Sequence, residues 1–93
     1  MLVEPLGDVE ARQLIRSIFR LGDVSMSAHA HEEMGKDGMD QSDVNSVLRA
    51  GVVVGNDFEH GTWRYRVSTP KFVVVVAFES ETEMAVVTAW RSK

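Results

Sequence analysis

The sequence predicts an α+β domain in which N-terminal helices pack on an antiparallel four-stranded β-sheet formed by the rest of the chain. Three observations lead to this prediction. The chain has 93 residues, of which 44% are apolar, so it suits one compact core, and residues 1–93 are expected to form a single domain. Apolar residues recur at helical spacing as far as Gly51. Beyond Gly51 the period changes to that of β-strands, with turn residues between apolar runs.

Three helices are predicted before Gly51, because each apolar stripe starts after a capping residue and stops at a glycine. Their predicted N-caps are Asp8, Ser27, and Asp40 or Ser42, and their predicted ends are Leu21 before Gly22, Gly38 and Gly51. The stripe of the first helix contains Ala11, Leu14, Ile15, Ile18 and Phe19. We expect this stripe to belong to the core, unless the helix extends away from the domain and offers it to a partner.

The first two predicted strands form a hairpin. The segment VVVGNDFE (52–59) is interrupted at Gly55 and Asn56, and His60 and Gly61 form the turn. The segment TWRYRVS (62–68) alternates with a two-residue period, which separates its side chains into two faces. One face contains Trp63, Tyr65 and Val67, and the other contains Arg64, Arg66 and Ser68.

The last two predicted strands are FVVVVAF (72–78), which follows a break at Pro70, and MAVVTAWRS (84–92). The continuous apolar run of the former predicts a central strand that is covered on both faces. Alternation in the latter predicts one face with Met84, Val86, Thr88 and Trp90, and an opposite face with Ala85, Val87, Ala89 and Arg91. We expect the two tryptophans to pack against the domain rather than to stack on a ligand.

Composition excludes several classes of function. The formal net charge of −4 disfavours broad electrostatic capture of nucleic acid, which depends on an excess of Lys and Arg. The chain has no cysteine, so disulfides, thiolate metal sites and a cysteine nucleophile are excluded. The first residues lack the basic start and apolar stretch of a signal peptide, and no apolar run reaches membrane-spanning length. We therefore expect a soluble cytoplasmic protein.

The segment SAHAHEEMGKDGM (27–39) places two histidines and two glutamates within five positions, from residue 29 to residue 33. His29 and His31 point about 200° apart on a helix, which counts against a shared metal site. Zinc would need further ligands, and no spacing compels a choice among the candidates Glu32, Glu33, Asp37 and His60. We expect no metal, and we interpret His31 as a solvated residue of an acidic helix.

The residues around His29 resemble those of a bacterial family. A Ser-x-His-Ala motif is followed by Met, by Gly with an apolar neighbour, and by a short capped helix that ends in Gly. The matching residues are Ser27, His29, Ala30, Met34, Gly38, Met39, Asp43, Val44, Val47, Leu48 and Gly51. In this pattern, and onward through the Arg-Tyr-Arg strand to Thr88, the chain resembles the family known as domain of unknown function 4258, over about residues 12–91.

That family is similar to toxins of the RelE and MqsR types, small α+β proteins that cleave messenger RNA and are neutralised by a partner antitoxin. The resemblance implies a RelE-like or barnase-like fold and a metal-independent endoribonuclease without a cofactor. The 2′-hydroxyl of the RNA attacks the adjacent phosphate, so the protein must supply an acid, a base and cations. The implied partners are RNA and a cognate antitoxin or another small protein.

The resemblance also implies roles for individual side chains. The implied catalytic residues are His29, Arg64, Arg66 and Thr88, and the implied substrate-binding residues are Tyr65 and Arg91. His29 would be the acid or base, and the two strand arginines would hold the phosphate with paired donors. Thr88 would hydrogen-bond nearby. Tyr65 would stack on a base or carry a proton if its face of the sheet is open.

Two departures from the family pattern support an alternative. Glu33 and Asp37 stand where the family usually has Arg, which reverses two charges beside the proposed site. The strand arginines would equally be explained as a solvated stripe, paired across strands with acids such as Glu79 or Glu59. The alternative function is a catalytically silent module on the same fold, whose acidic helical side or apolar strand edge binds another protein.

Overall fold

A computed structural model describes residues 1–92 as three helices and a five-stranded sheet. The elements are α1 (Asp8–Leu21), β1 (Asp23–Met26), α2 (Ala28–Lys36), α3 (Gln41–Ala50), β2 (Val52–Glu59), β3 (Thr62–Ser68), β4 (Phe72–Phe78) and β5 (Glu83–Arg91). The sheet order is β1-β5-β4-β3-β2, with β1 parallel to β5 and the other pairs antiparallel. The predicted α+β class is confirmed, and the prediction of a four-stranded antiparallel sheet is wrong.

The strand missing from the sequence analysis is β1, which separates α1 from the other two helices, so the helices do not all precede the sheet. Its four residues, DVSM, are too few to show a period. Backbone bonds fix it beside β5: Asp23 N donates to Thr82 O at 2.9 Å, and Ser27 N donates to Val86 O at 3.0 Å. A Cβ at Gly22 would collide with the Thr82 carbonyl, so this close approach requires glycine.

The start of α1 differs from the prediction. The N-cap is Gly7, which has no side chain and therefore makes no side-chain capping bond. Asp8 is the first residue of the helix. Its carboxylate therefore lies in the first turn, where it interacts favourably with the positive end of the helix dipole. The predicted ends are confirmed, because Gly22 closes α1 and Gly51 closes α3.

The caps of α2 and α3 follow the sequence prediction. Ser27 Oγ accepts a hydrogen bond from Ala30 N at 3.0 Å. Asp40 caps α3, rather than the serine two positions later, and it exchanges side-chain bonds with Asp43 in a capping box. The last residue of α2 is Lys36, and Gly38 follows at φ 64°, a left-handed conformation that suits the end of a helix.

One buried cluster joins all three helices to a single face of the sheet. The helices contribute Ala11, Ile15 and Ile18 from α1, Ala30 and Met34 from α2, and Val44, Val47 and Leu48 from α3. Leu14 and Phe19 are partly buried against the same cluster, so the apolar stripe of α1 belongs to the core as predicted. We call the sheet surface toward the helices the helical face and the other surface the outer face.

The central strand is β4, as its apolar run predicts. Val74 and Val76 are fully buried in the cluster on the helical face. Val75 is 7% exposed, although it lies on the outer face, where it lines a groove with Trp90 and Arg66. Both faces of β4 are therefore covered, the helical face by helices and the outer face by side chains of neighbouring strands.

A β-bulge in β2 sets the side chains that face β3. The strand is continuous rather than interrupted, and Gly55 lies in the bulge at φ 109°. The flanking pairs are Val53 with Val67 and Asn56 with Tyr65, so three steps along β2 match two along β3. The extra residue reverses the faces of the residues that follow. Asp57 and Glu59 consequently lie on the outer face, beside the arginines of β3.

A second bulge reverses the faces along β5. The flanking pairs are Val76 with Val86 and Val75 with Thr88, which leaves Val87 as the extra residue. Thr88 and Trp90 therefore lie on the outer face, opposite to Met84, and the fully buried Ala89 takes the place on the helical face. The prediction that Met84, Val86, Thr88 and Trp90 share one face is wrong, because strict alternation does not survive an inserted residue.

The phenol of Tyr65 makes the stability of the domain depend on pH in the alkaline range. Its ring is fully buried on the helical face, and its hydroxyl donates to Glu4 Oε2 at 2.8 Å and accepts from Leu6 N at 3.0 Å. Burial, reinforced by the Glu4 carboxylate, raises the pKa of Tyr65 to about 12. The buried phenol thereby attaches the N-terminal segment to the sheet.

We expect the free energy of unfolding to fall less steeply at alkaline pH in Tyr65→Phe than in the unsubstituted protein. The unfolded chain releases the phenol proton near pH 10, whereas the folded protein holds it to about 12. The stabilising difference is present below pH 10 and falls by roughly 2–3 kcal/mol as the pH rises through the folded pKa. Urea unfolding across this range measures it in both proteins, and the chain's single tyrosine permits a parallel absorbance titration. Equally steep losses in both proteins would contradict the assignment.

We expect Ser27→Ala to lower the free energy of unfolding by about 1–2 kcal/mol, because Ser27 both caps α2 and donates its hydroxyl to Val87 O at 2.9 Å. Ser17→Ala, at an exposed position of α1, is the matched control and should change it by less than about 0.5 kcal/mol. Chemical denaturation of the two variants distinguishes them. Equal effects would show that Ser27 does not secure the helix to the strand.

Candidate functional site

A cavity of about 580 Å³ opens where the start of α2, the β2–β3 turn and the bulge of β5 meet. We call this cavity the hollow. Its lining residues are Ser27, His29, Glu59, His60, Arg64, Val87 and Thr88. Its volume lies within the range of about 300–1,000 Å³ that is typical of small-ligand sites. Three of the four residues that the resemblance marks as catalytic, His29, Arg64 and Thr88, therefore line one space.

The position of His29 follows from the bonds of Ser27. The Ser27 hydroxyl donates to the carbonyl of Val87, which is the extra residue of the β5 bulge, so the start of α2 is attached to that bulge. His29 lies two residues further on, in the first turn of the helix. Its side chain is 62% exposed, and Nε2 lies 3.7 Å from Glu33 Oε1, one turn later. This contact becomes an ion pair when the imidazole is protonated.

The two arginines of β3 each face a carboxylate of β2. Arg64 Nη1 lies 3.8 Å from Glu59 Oε2, and Arg66 Nη1 lies 3.3 Å from Asp57 Oδ2. The backbone partner of Arg64 is Asp57, so Arg64 pairs with the diagonal neighbour two residues along β2. The predicted cross-strand pairing with Glu59 is confirmed, and Asp57 rather than Glu79 is the second acid. The bulge at Gly55 places both acids on this face.

A smaller groove of about 160 Å³ adjoins the hollow along the outer face. It shares Glu59, Arg64 and Thr88 with the hollow, and its other lining residues are Asp57, Arg66, Val75 and Trp90. Arg66 therefore lines the groove, while His29 lines the hollow, and Arg64 and Thr88 stand between them. The second bulge brings Thr88 here, because it pairs with Val75, which in turn pairs with Arg66.

His60 is the site residue that the sequence analysis did not identify. The sequence predicts only that His60 is a turn residue and one of four candidate ligands for zinc. In the structure it forms the two-residue turn with Gly61, at φ 51° and 80° respectively, and lines the hollow with His29. No sequence spacing connects the two histidines, since their proximity depends on how α2 meets β5. The positively charged form of either imidazole would add to the charge of Arg64.

Tyr65 does not belong to the site. Its side chain lies on the helical face and is 0% exposed, so it cannot stack on a base from solvent. The condition attached to its predicted role, an open face of the sheet, is not met. The reason is the period of β3, which directs Tyr65 away from the arginines on either side of it.

Arg91 also lies away from the hollow, and two of its three guanidinium nitrogens already donate hydrogen bonds within the domain. Its backbone N donates to Asp37 Oδ2 at 2.8 Å, while Nε and Nη2 donate to the carbonyls of Asp37 and Gly38 at 3.2 and 3.3 Å. Its guanidinium lies 5.0 Å from the centre of the Phe72 ring. Arg91 thus stabilises the end of α2, where a cation satisfies the last carbonyls.

These bonds also separate the two reversed charges of α2. Glu33 borders the site through His29, whereas Asp37 is bound to the backbone of Arg91 at the other end of the helix. The expectation that both acids stand beside the site is therefore correct for Glu33 and wrong for Asp37. Asp37 lies eight residues beyond His29, which is about 12 Å along the helix axis at 1.5 Å per residue.

The charges around the hollow and groove balance in pairs. Two arginines face two carboxylates, and His29 faces a third. These pairs are partly exposed, and exposed pairs of this kind contribute about 0.2–1 kcal/mol each, so an incoming anion can replace a carboxylate at small cost. Within residues 1–92, no three His, Asp or Glu side chains converge as a metal-binding group. Among the helices of the same residues, none is long and apolar enough to cross a membrane.

Comparison with known proteins gives one match. The chain matches no curated protein and no solved structure. Residues 26–91, which include the hollow and groove but not α1, match the family described as "Domain of unknown function (DUF4258)". Because this match extends over more than half of the chain, the chain belongs to the DUF4258 family.

Proposed function

We propose that the protein cleaves single-stranded RNA without a metal ion, by attack of the RNA 2′-hydroxyl on the adjacent phosphate in the hollow. The observation that carries this proposal is the convergence of His29, His60 and Arg64 on one cavity. Two imidazoles beside a guanidinium provide a base, an acid and a cation, the three groups that this reaction requires. The resemblance of the family to RelE- and MqsR-type toxins supports the same reaction, with a neutralising antitoxin as the protein partner.

The reaction needs one imidazole in the neutral form and one in the protonated form. The neutral imidazole takes the proton of the 2′-hydroxyl while the 2′-oxygen forms a bond to phosphorus. The bond from phosphorus to the 5′-oxygen breaks, and the protonated imidazole donates its proton to that leaving oxygen. The products are a 2′,3′-cyclic phosphate and a free 5′-hydroxyl. His29 and His60 fill these two roles in this proposal.

Arg64 would stabilise the charge that develops on the phosphate. Its side chain is 23% exposed, so it is partly held by its surroundings, and its contact with Glu59 at 3.8 Å is long for a hydrogen bond. A phosphate offers the guanidinium two oxygens at shorter range and would displace Glu59. Thr88 lines both cavities and is placed to donate a hydroxyl hydrogen to a phosphate oxygen. Arg66 would hold the next phosphate along the groove.

The paired charges favour a second candidate function, a catalytically silent module that binds another protein. Arg64 and Arg66 each have a carboxylate partner, and Glu33 lies beside His29, which makes the outer face less attractive to RNA than an unpaired basic surface. In this case the same hollow would receive a side chain of a protein partner. The two functions predict different results for RNA: it is cleaved by way of His29 and His60 in the first, and it stays intact in the second.

We expect the purified protein to cleave single-stranded RNA in EDTA and to leave 2′,3′-cyclic phosphate ends, because the nucleophile belongs to the RNA. His29→Ala and His60→Ala should each lower the rate about 10²–10⁴-fold. His31→Ala is the matched control and should retain the rate, since His31 is exposed on the same helix and does not line the hollow. Chromatography of the products over time measures the rate of cleavage, and mass spectrometry identifies the product ends.

The rate should also peak at intermediate pH, because one imidazole must be neutral and the other charged. Intact RNA at high protein concentration would support the silent binding module instead. Cleavage that His29→Ala and His60→Ala both leave unchanged would assign the reaction to a contaminant or to another part of the chain.

A further inference from the structure

A second basic site lies on the helical side of the molecule, apart from the hollow. Three of its four residues precede the region that matches the family, and Arg49 lies within that region. A cavity of about 300 Å³ between α1 and α3 is lined by Arg16, Phe19, Arg20 and Arg49. We call these four residues the arginine cluster. All three arginines are exposed, and the lining contains no acidic side chain.

The arginine cluster differs from the cations that are paired with an acid, although within residues 1–92 Arg12, Lys71 and Arg91 also make no ion pair with a carboxylate. Arg64, Arg66 and Lys36 each have a carboxylate within 4.0 Å. Within residues 1–92, no ion pair joins Arg16, Arg20 or Arg49 to a carboxylate. This contrast is informative because residues 1–59, which contain the cluster, have eleven acids and five bases. Three adjacent cations without a counter-charge repel one another, and a bound anion would relieve that repulsion.

The geometry of the cluster is partly fixed before any ligand binds. The guanidinium of Arg49 lies 5.9 Å from the centre of the Phe19 ring, a cation–π contact that restricts the arginine. Phe19 is itself packed against the core. Arg16 and Arg20 are one turn apart on α1, so their backbones are separated by about 6 Å along the helix axis. The cluster therefore presents a row of two guanidiniums on one helix and a third from the facing helix.

We propose that the arginine cluster binds phosphate groups of single-stranded RNA, with Arg16 and Arg20 on successive phosphates of the strand. Guanidinium forks match phosphate oxygens, and the one-turn spacing suits a repeating anion. An acidic peptide is the less suitable ligand, because the cluster lies on helices whose backbone groups are already bonded. A peptide would also seek a broader apolar centre than the single half-buried Phe19 provides. Binding at the cluster does not depend on cleavage in the hollow.

The experiment measures the affinity of a fluorescently labelled single-stranded RNA with 2′-O-methyl riboses, which cannot be cleaved by 2′-hydroxyl attack. The test variant is R16Q/R20Q, and the matched control is K36Q/K71Q, which changes the net charge equally, from −4 to −6. We expect R16Q/R20Q to weaken binding about tenfold and to reduce the slope of log K against log salt by about 1.4, from two lost phosphate contacts. Fluorescence anisotropy across a salt series measures both.

The control should weaken binding less than about twofold, because it removes the same charge elsewhere on the surface. Equal losses in the two variants, or no loss in R16Q/R20Q, would overturn the proposal. Stronger competition by a poly-glutamate peptide than by unlabelled RNA would also overturn it, in favour of a protein ligand. A tenfold loss in R16Q/R20Q together with an absence of RNA cleavage would sustain the cluster and refute only the proposed function. Thermal melting of both variants confirms that they fold.

Discussion

The candidate site depends on the two-residue period of β-strands, which decides the face of the sheet on which each side chain lies. One inserted residue in β2 and one in β5 reverse that period locally. The bulge at Gly55 turns Asp57 and Glu59 to the outer face, and the bulge at Val87 turns Thr88 to the same face. Without these insertions, strict alternation would direct all three side chains toward the helices. The Val87 carbonyl also accepts the Ser27 hydroxyl and so fixes where α2 begins. The bulges thus bring together polar groups from four separate elements.

The layout of the domain places the buried core and the candidate site on opposite faces of the sheet. The three helices share a single buried cluster with the helical face, and that cluster includes the fully buried Tyr65 and Ala89. Within residues 1–92, no such layer covers the outer face, so its arginines and acids remain in contact with solvent and form weak pairs. Substitutions on the outer face should therefore alter binding more than folding. The acidic balance of the whole chain hides two local basic sites, one paired on the sheet and one unpaired between α1 and α3.

Local signals in the sequence were sufficient for the helices and for most strands. Ser27, Asp40, Gly22 and Gly51 mark helix limits because capping chemistry acts within three or four residues. The four-residue β1 carries no readable period, and its parallel pairing depends on distant β5. Tyr65 and Arg91 were assigned to the site by resemblance, although the faces of their strands direct them elsewhere. His60 was missed because its proximity to His29 is produced entirely by tertiary packing.

Nuclear magnetic resonance tests most directly whether His29 and His60 face one phosphate-binding space, as we propose. The chain has only three histidines, so their imidazole signals are readily assigned by single substitutions. Titration with a 2′-O-methyl dinucleotide, which binds without being cleaved, should shift the signals of His29 and His60 together, with one common dissociation constant. The His31 signal should stay in place. Shifts of His29 and His60 with different dissociation constants, or a shift of His31 alone, would contradict the account.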